Sequence, residues 1–143
     1  MDILDELTYA YNEITSYQLE NDGEFHYTID NLLDDYDELK NMIKKPIYRA
    51  IQLKDIKELN YNNLGVFWTN IKEQAFSYEG KGGNDYIVEA KTKLEDVAIG
   101  ATIIARRLFP EDEIRLEEHK LINVINIYDN KGNPLNISGK FFT

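Results

Sequence analysis

The reading of the fold turns on "KKPIYRAIQL", residues 44–53, where one pattern of apolar residues stops and another begins. Upstream, apolar side chains recur at three- and four-residue spacing. Downstream, they come in short runs separated by turn residues. Pro46 marks the boundary, because its ring disfavours helical geometry at Lys45 and pushes the chain toward extended conformation. "PIYRAIQL" is then short, apolar and β-compatible, with a lone arginine, Arg49, inside it.

Toward the N-terminus, Ile3, Leu7, Ala10, Ile14 and Tyr17 have the spacing of an amphipathic helix over residues 1–19. "NDG" at 21–23 breaks it. Thr28 is placed to cap a second helix whose buried stripe would be Ile29, Leu32, Leu33, Tyr36, Leu39 and Ile43. Toward the C-terminus, "DIKEL" reads as a helical turn, "VFWT" (66–69) as a strand and "NIKEQAFSY" (70–78) as a short helix. After the loop "EGKGGND", "YIVEAKT" (86–92) alternates as a strand. "LEDVAIGATIIARRLF" (94–109) fits either a helix or an irregular segment followed by a strand. "DEIRLEE" (112–118) and "KLINVINIYD" (120–129) read as strands, "NKGNP" as a turn and "LNISGKFF" as a last strand.

Two helices followed by mostly antiparallel strands predict an α+β protein. Its 143 residues suit one domain, with an acidic helical segment at 1–45 and a β-rich core at 46–143. An apolar content of 43% excludes the disordered class. The absence of cysteine excludes disulfides and thiolate metal sites and fits a cytosolic protein. His26 and His119 lie far apart in sequence, so no metal site is expected. No run approaches the ~18 apolar residues needed to span a bilayer, and "MDILDELTYAY" lacks the basic start of a signal peptide. Residues 1–40 hold 12 acids against Lys40 alone, a net of −11, so the formal −10 of the chain belongs to its N-terminal segment. That distribution argues against direct nucleic-acid binding.

Three segments carry candidate chemistry. In "FPEDEIRLEEH" (109–119), strand alternation puts Glu111, Glu113, Arg115 and Glu117 on one side and Asp112, Ile114 and Leu116 on the other. Two carboxylates about 7 Å apart on one strand face can act as an acid–base or charge-stabilising pair. A solvated edge strand, with Arg115 offsetting its neighbours, explains the same residues. Arg49 must reach solvent, a partner or an anion, since burying it unpaired costs several kcal/mol; arginine suits phosphate or carboxylate. In "LGVFWTNIKEQAFSY" (64–78), Thr69 closes a strand before a short helix that presents Ala75 and Tyr78, while Phe67, Trp68 and Phe76 are expected in the core.

Taken in order, "YRAI", "LGVFWTN" and "EDEIRL" resemble the arginine, serine–threonine–serine and Glu-x-Glu strands of the ADP-ribosyltransferase superfamily. The resemblance is to its arginine–serine–glutamate class, which includes clostridial and cholera-type toxins and phage-encoded transferases, and it covers residues 47 to 128. The middle motif departs from the family, reading Trp-Thr-Asn, and the stretch before Glu111 is short.

The resemblance implies a two-sheet, mostly antiparallel core and NAD as substrate, with no metal. It implies that Arg49 holds the NAD pyrophosphate region, that the backbone of Ala50 binds the nicotinamide carboxamide, and that Thr69 orients the catalytic glutamate. Glu113 would be that glutamate, stabilising the oxocarbenium-like charge as nicotinamide departs. Glu111 would face the acceptor, an arginine of a protein, and Phe109 would help choose the target. Water as acceptor would make the enzyme an NAD glycohydrolase. The alternative from another class is a non-catalytic acidic binding protein, whose N-terminal helices dock on a basic surface. The richness in asparagine, isoleucine, lysine and tyrosine suggests a phage or low-GC bacterial origin, a host protein as target and the cytosol as location.

Overall fold

The computed structural model describes residues 2–21, 26–60, 64–77, 84–109, 112–117 and 123–135. Helices α1 (Ile3–Asn21) and α2 (Ile29–Met42) precede strand β1 (Ile47–Leu53), as the break at Pro46 predicts. A 3₁₀ turn (Ile56–Glu58), β2 (Phe67–Thr69), α3 (Lys72–Ser77) and β3 (Asn84–Lys91) follow. A second 3₁₀ turn (Leu94–Asp96), α4 (Ile99–Leu108), β4 (Glu113–Arg115) and β5 (Asn123–Asp129) complete the described chain. The segment 94–109, readable either way from sequence, is thus a 3₁₀ turn and a helix. The fold class is α+β. The described strands form one five-stranded antiparallel sheet in the order β4-β2-β1-β3-β5; a second sheet is not seen among the described residues. The last strand expected at 136–143 lies outside the described residues.

Local chemistry accounts for the second helix. Thr28 accepts from the Asn31 backbone N–H while the Asn31 side chain accepts from Thr28 N–H, a reciprocal cap that satisfies two otherwise orphaned donors. Its stripe is narrower than the spacing suggests. Leu32 and Leu39 are buried, but Ile29 is 60% and Leu33 47% exposed. On α1, Leu7, Ala10 and Ile14 face inward while Ile3 and Tyr17 stay exposed.

One side of the sheet packs against α1, α2 and α4. Ile47, Trp68, Val88, Ala90, Ile114, Leu116, Val124 and Ile127 join Ala10, Ile14, Leu39 and Ile103 in a single buried cluster. Ile87 and Ala75 are buried outside that cluster, on the other side, where α3 lies. A bulge between the β3 residues Glu89 and Ala90 and strand β5 decides which β5 residues face which side. Glu89 pairs with Asn126 but Ala90 pairs with Val124, so Ile125 is the extra residue. Val124 and Ile127 can therefore both face the helices, while Asn126 and Tyr128 turn to the α3 side.

The α1–α4 crossing needs glycine at position 100, where an added Cβ would sit 2.8 Å from the Glu6 carbonyl oxygen. Helix α4 has no side-chain cap of its own. Glu6 supplies one from α1, its Oε1 accepting from the Ile99 N–H at 3.0 Å. Burial raises the Glu6 carboxyl above its ordinary range, against the lowering effect of these backbone hydrogen bonds. Between α2 and α4, Arg107 grips Asp35 through two nitrogens at 3.0 and 2.7 Å, and Tyr27 donates to Asp35 at 2.7 Å. Part of the acidic charge of α2 is therefore spent inside the fold.

Two tyrosines make the fold sensitive to alkali. Burial, then a hydrogen bond to Asp35, pushes the Tyr27 phenol well above its ordinary 10.0. Burial and a hydrogen bond to Glu89 push Tyr48 up to about 12. Both phenols lose their protons more easily in the unfolded chain. Their contribution is thus complete below pH 10 and lost as pH rises above it. Urea midpoints measured from pH 8 to 11 should fall beyond pH 10, and less steeply in Tyr27→Phe, which also lacks the Asp35 bond and starts about 1 kcal/mol lower.

Candidate functional site

Strand β1 meets β2 at a single register pair, Tyr48 with Thr69. Strand β2 pairs on its other side with β4, Thr69 opposite Glu113 and Phe67 opposite Arg115. On the face away from the three large helices, residues from five strands thus line up as Glu113, Thr69, Tyr48, Glu89 and Asn126. Neighbours in such a row stand about 4.5–5.5 Å apart at their Cβ atoms, close enough to share one ligand.

Beside this row lies a cavity of about 350 Å³ lined by Tyr48, Arg49, Ala50, Phe67, Trp68, Thr69, Gln74, Ala75, Asp112 and Glu113. Arg49, Ala50, Thr69 and Glu113, singled out in three separate segments of sequence, therefore face one space. The volume falls at the small end of the range for ligand sites. Arg49 donates from Nη1 to the Phe67 carbonyl at 2.7 Å. Gly65 makes room for it: its φ of +94° suits glycine, and an added Cβ would lie 2.6 Å from the Arg49 Nε and Cζ atoms. The arginine thus answers the question raised by its apolar strand by reaching across to the backbone beside β2.

Thr69 closes its strand with its hydroxyl accepting from the Ile71 N–H at 3.1 Å, at the start of the turn into α3, and donating to the side-chain amide oxygen Oε1 of Gln74 at 3.3 Å. Gln74 in turn donates to Asp112 at 2.6 Å. From α4, Arg106 donates to the Asn70 side chain at 3.0 Å and to the Glu113 carbonyl at 3.3 Å, and stands 3.6 Å from Asp112. These contacts tie the ends of β2 and β4 to both α3 and α4. The expected placement of Asp112 opposite Glu113 does not hold at the cavity, because Asp112 precedes β4 and the strand alternation does not extend to it.

Strand β4 is short, and among the described residues its outer edge is met by the extended segment before α4, with Val97 bridged to Leu116 and Ala98 N–H donating to the Arg115 carbonyl at 2.8 Å, and by α4 itself. The buried Thr102 hydroxyl donates to the Arg115 carbonyl at 3.2 Å and accepts from the Arg115 N–H at 3.0 Å. The alternation expected within the strand holds: Ile114 and Leu116 are buried in the core, and Glu113 and Arg115 point the other way. The Glu113 carboxylate, 15% exposed, lies 3.2 Å from the Arg115 guanidinium, which stacks 4.7 Å above the Phe67 ring. Phe67 itself is 48% exposed, contrary to the core position expected for it, while Trp68 is buried with its indole N–H donating to the Gly65 carbonyl at 2.9 Å.

No family model, no curated protein and no solved structure matches this chain.

Glu89 is the residue that sequence inspection passed over. It is buried, and its Oε1 accepts from Asn126 at 3.0 Å and Tyr128 at 3.3 Å, with Tyr48 as a further donor. A carboxylate at an inward position of "YIVEAKT" was the available signal, of the same kind as Arg49 in its strand. Its partners could not be named, because the bulge at Ile125 brings them to it. Phe109 stands at the end of α4, 47% exposed, edge-on to Tyr17 at 6.3 Å, apart from the cavity that holds Thr69. Glu111 and Tyr78 lie outside the described residues. Among the described residues, no cluster of acids and histidines is placed to hold a metal ion, and no helix is long and apolar enough to cross a membrane.

Proposed function

We propose that this chain is a mono-ADP-ribosyltransferase of the arginine–serine–glutamate class, which cleaves NAD and transfers its ADP-ribose to an arginine of a protein. The observation that carries the reading is that Arg49, Ala50, Thr69 and Glu113 line one cavity, although 64 positions separate the first from the last of them. Each has a chemical task there. Arg49 offers a guanidinium to the NAD phosphates. The β1 backbone at Ala50 offers hydrogen-bonding groups to the nicotinamide amide. Thr69 orients Glu113, its neighbour in register. Glu113 supplies the fixed negative charge that a departing nicotinamide and a developing oxocarbenium require. With water as acceptor the same arrangement is an NAD glycohydrolase. A phage or bacterial effector acting on a host protein fits the composition, with the cytosol as its place of action.

A second reading is a non-catalytic acidic binding protein. It is favoured by exposed apolar residues on the acidic helices, Leu4 and Leu19 on α1 and Ile29 and Leu33 on α2. Labelled NAD separates the two. Incubation with a cell lysate should release nicotinamide and label protein in the wild type but not in Glu113→Gln; no turnover together with no NAD binding by calorimetry leaves the binding protein. Glu111→Gln should reduce transfer to protein more than NAD hydrolysis, and equal loss of both would show that Glu111 does not face the acceptor.

A further inference from the structure

Glu113 lines two cavities. It borders the one with Arg49 and Thr69, and also a second, of about 240 Å³, lined by Tyr9, Ala101, Ile104, Ala105, Phe109 and Arg115. Arg115 stands at this junction. Its Nη2 lies 3.2 Å from Glu113 Oε2, its guanidinium stacks on Phe67, which also borders the first cavity, and its side chain is 38% exposed. The contact is one of charge more than of an aligned hydrogen bond, since Glu113 Oε2 and Arg115 Nε are both buried without a hydrogen-bond partner. A guanidinium on that carboxylate stands where an acceptor arginine would have to come.

From this we infer that Arg115 is itself an acceptor, so that the site modifies its own chain. The inference rests on the transferase reading given above. The bond between nicotinamide nitrogen and the ribose C1′ breaks, and its electron pair leaves with nicotinamide. An Arg115 Nη forms the new bond to C1′ and gives up a proton, which the adjacent Glu113 carboxylate can take and pass to water. No other reactant is needed. Holding the nucleophile beside the reacting centre makes the step unimolecular, which can replace an acceptor concentration far beyond any reachable in solution. The product carries ADP-ribose at the mouth of its own cavity, so each chain stops itself after one turnover of this kind.

The test uses wild-type protein, labelled NAD and no added acceptor, with tryptic mapping of the label. Expected is one ADP-ribose per chain on Arg115, seen as a missed cleavage after that residue, formed at a first-order rate unchanged by a roughly tenfold dilution of the protein, as an intramolecular step requires. Arg115→Lys should lose label at this position. Label at Arg115 whose rate falls on dilution would overturn modification within the chain. Nicotinamide release without label at Arg115 would overturn the inference and leave the proposed activity standing. Absence of both nicotinamide release and NAD binding would remove that activity, and self-modification with it.

Discussion

Glu113→Gln should lower the rate of nicotinamide release by at least about 100-fold, the scale on which removal of one positioned charge or acid–base group is felt in an active site. Glutamine keeps the shape of the side chain and a hydrogen-bonding oxygen. It removes the partner of Arg115, 3.2 Å away, and with it the charge that the proposed reaction needs to stabilise an oxocarbenium. The fold should tolerate the change, because Ile114 and Leu116 carry the packing of β4 and Thr102 satisfies its edge. Single-turnover nicotinamide release, with thermal unfolding measured on the same samples, separates the two effects. A variant that melts with the wild type and releases nicotinamide equally fast would strike Glu113 from the mechanism. NAD binding should weaken far less than turnover, because the substrate contacts expected of Arg49 and Ala50 are untouched.

The second large effect is on stability, and its origin lies at Gly65. Gly65→Ala forces a side chain into a conformation at φ +94° that L residues rarely adopt, and drives the new methyl to 2.6 Å from the Arg49 guanidinium. The backbone part costs about 1–3 kcal/mol. The clash adds to it, since Arg49 must leave its bond to the Phe67 carbonyl. Gly132→Ala is the internal control: its φ is +87°, but its nearest neighbour, in Phe76, lies at an ordinary 3.8 Å. Urea unfolding should therefore show Gly65→Ala to be the more destabilised, with the difference between the two variants reporting the displaced arginine. Equal losses would mean that Arg49 moves aside freely and that its seat beside β2 is not a constrained one. NAD affinity should fall in Gly65→Ala and remain in Gly132→Ala.

How far the site could be read ahead of the fold differs from residue to residue. Arg49, Thr69 and Glu113 were singled out by the order of their three segments, since each segment alone has an ordinary structural explanation. Gln74, Asp112 and Arg106 were not, since polar residues at such positions are ordinary on any surface. Only the convergence of α3, α4 and the ends of β2 and β4 turns them into one network. Phe67 was expected in the core on hydrophobicity alone, yet it lies on the open face with Arg115 stacked on it.

The α+β class, the end of the second helix before Pro46 and the two faces of β4 were readable from sequence, because they follow from proline sterics and from apolar periods of about 3.6 and 2 residues. The sequence also singled out the arginine, hydroxyl and carboxylate that the cavity later unites. Tertiary structure decided the rest. Within 94–109, residues 99–108 form a helix, whose Thr102 bonds the outer edge of β4 and whose start is capped by Glu6 of α1. The strand order, the bulge at Ile125 and the gathering of Glu89 with Tyr48, Asn126 and Tyr128 depend on pairings between distant segments. No local pattern encodes such pairings, since a strand's period states which residues share a face but not which strand lies beside it.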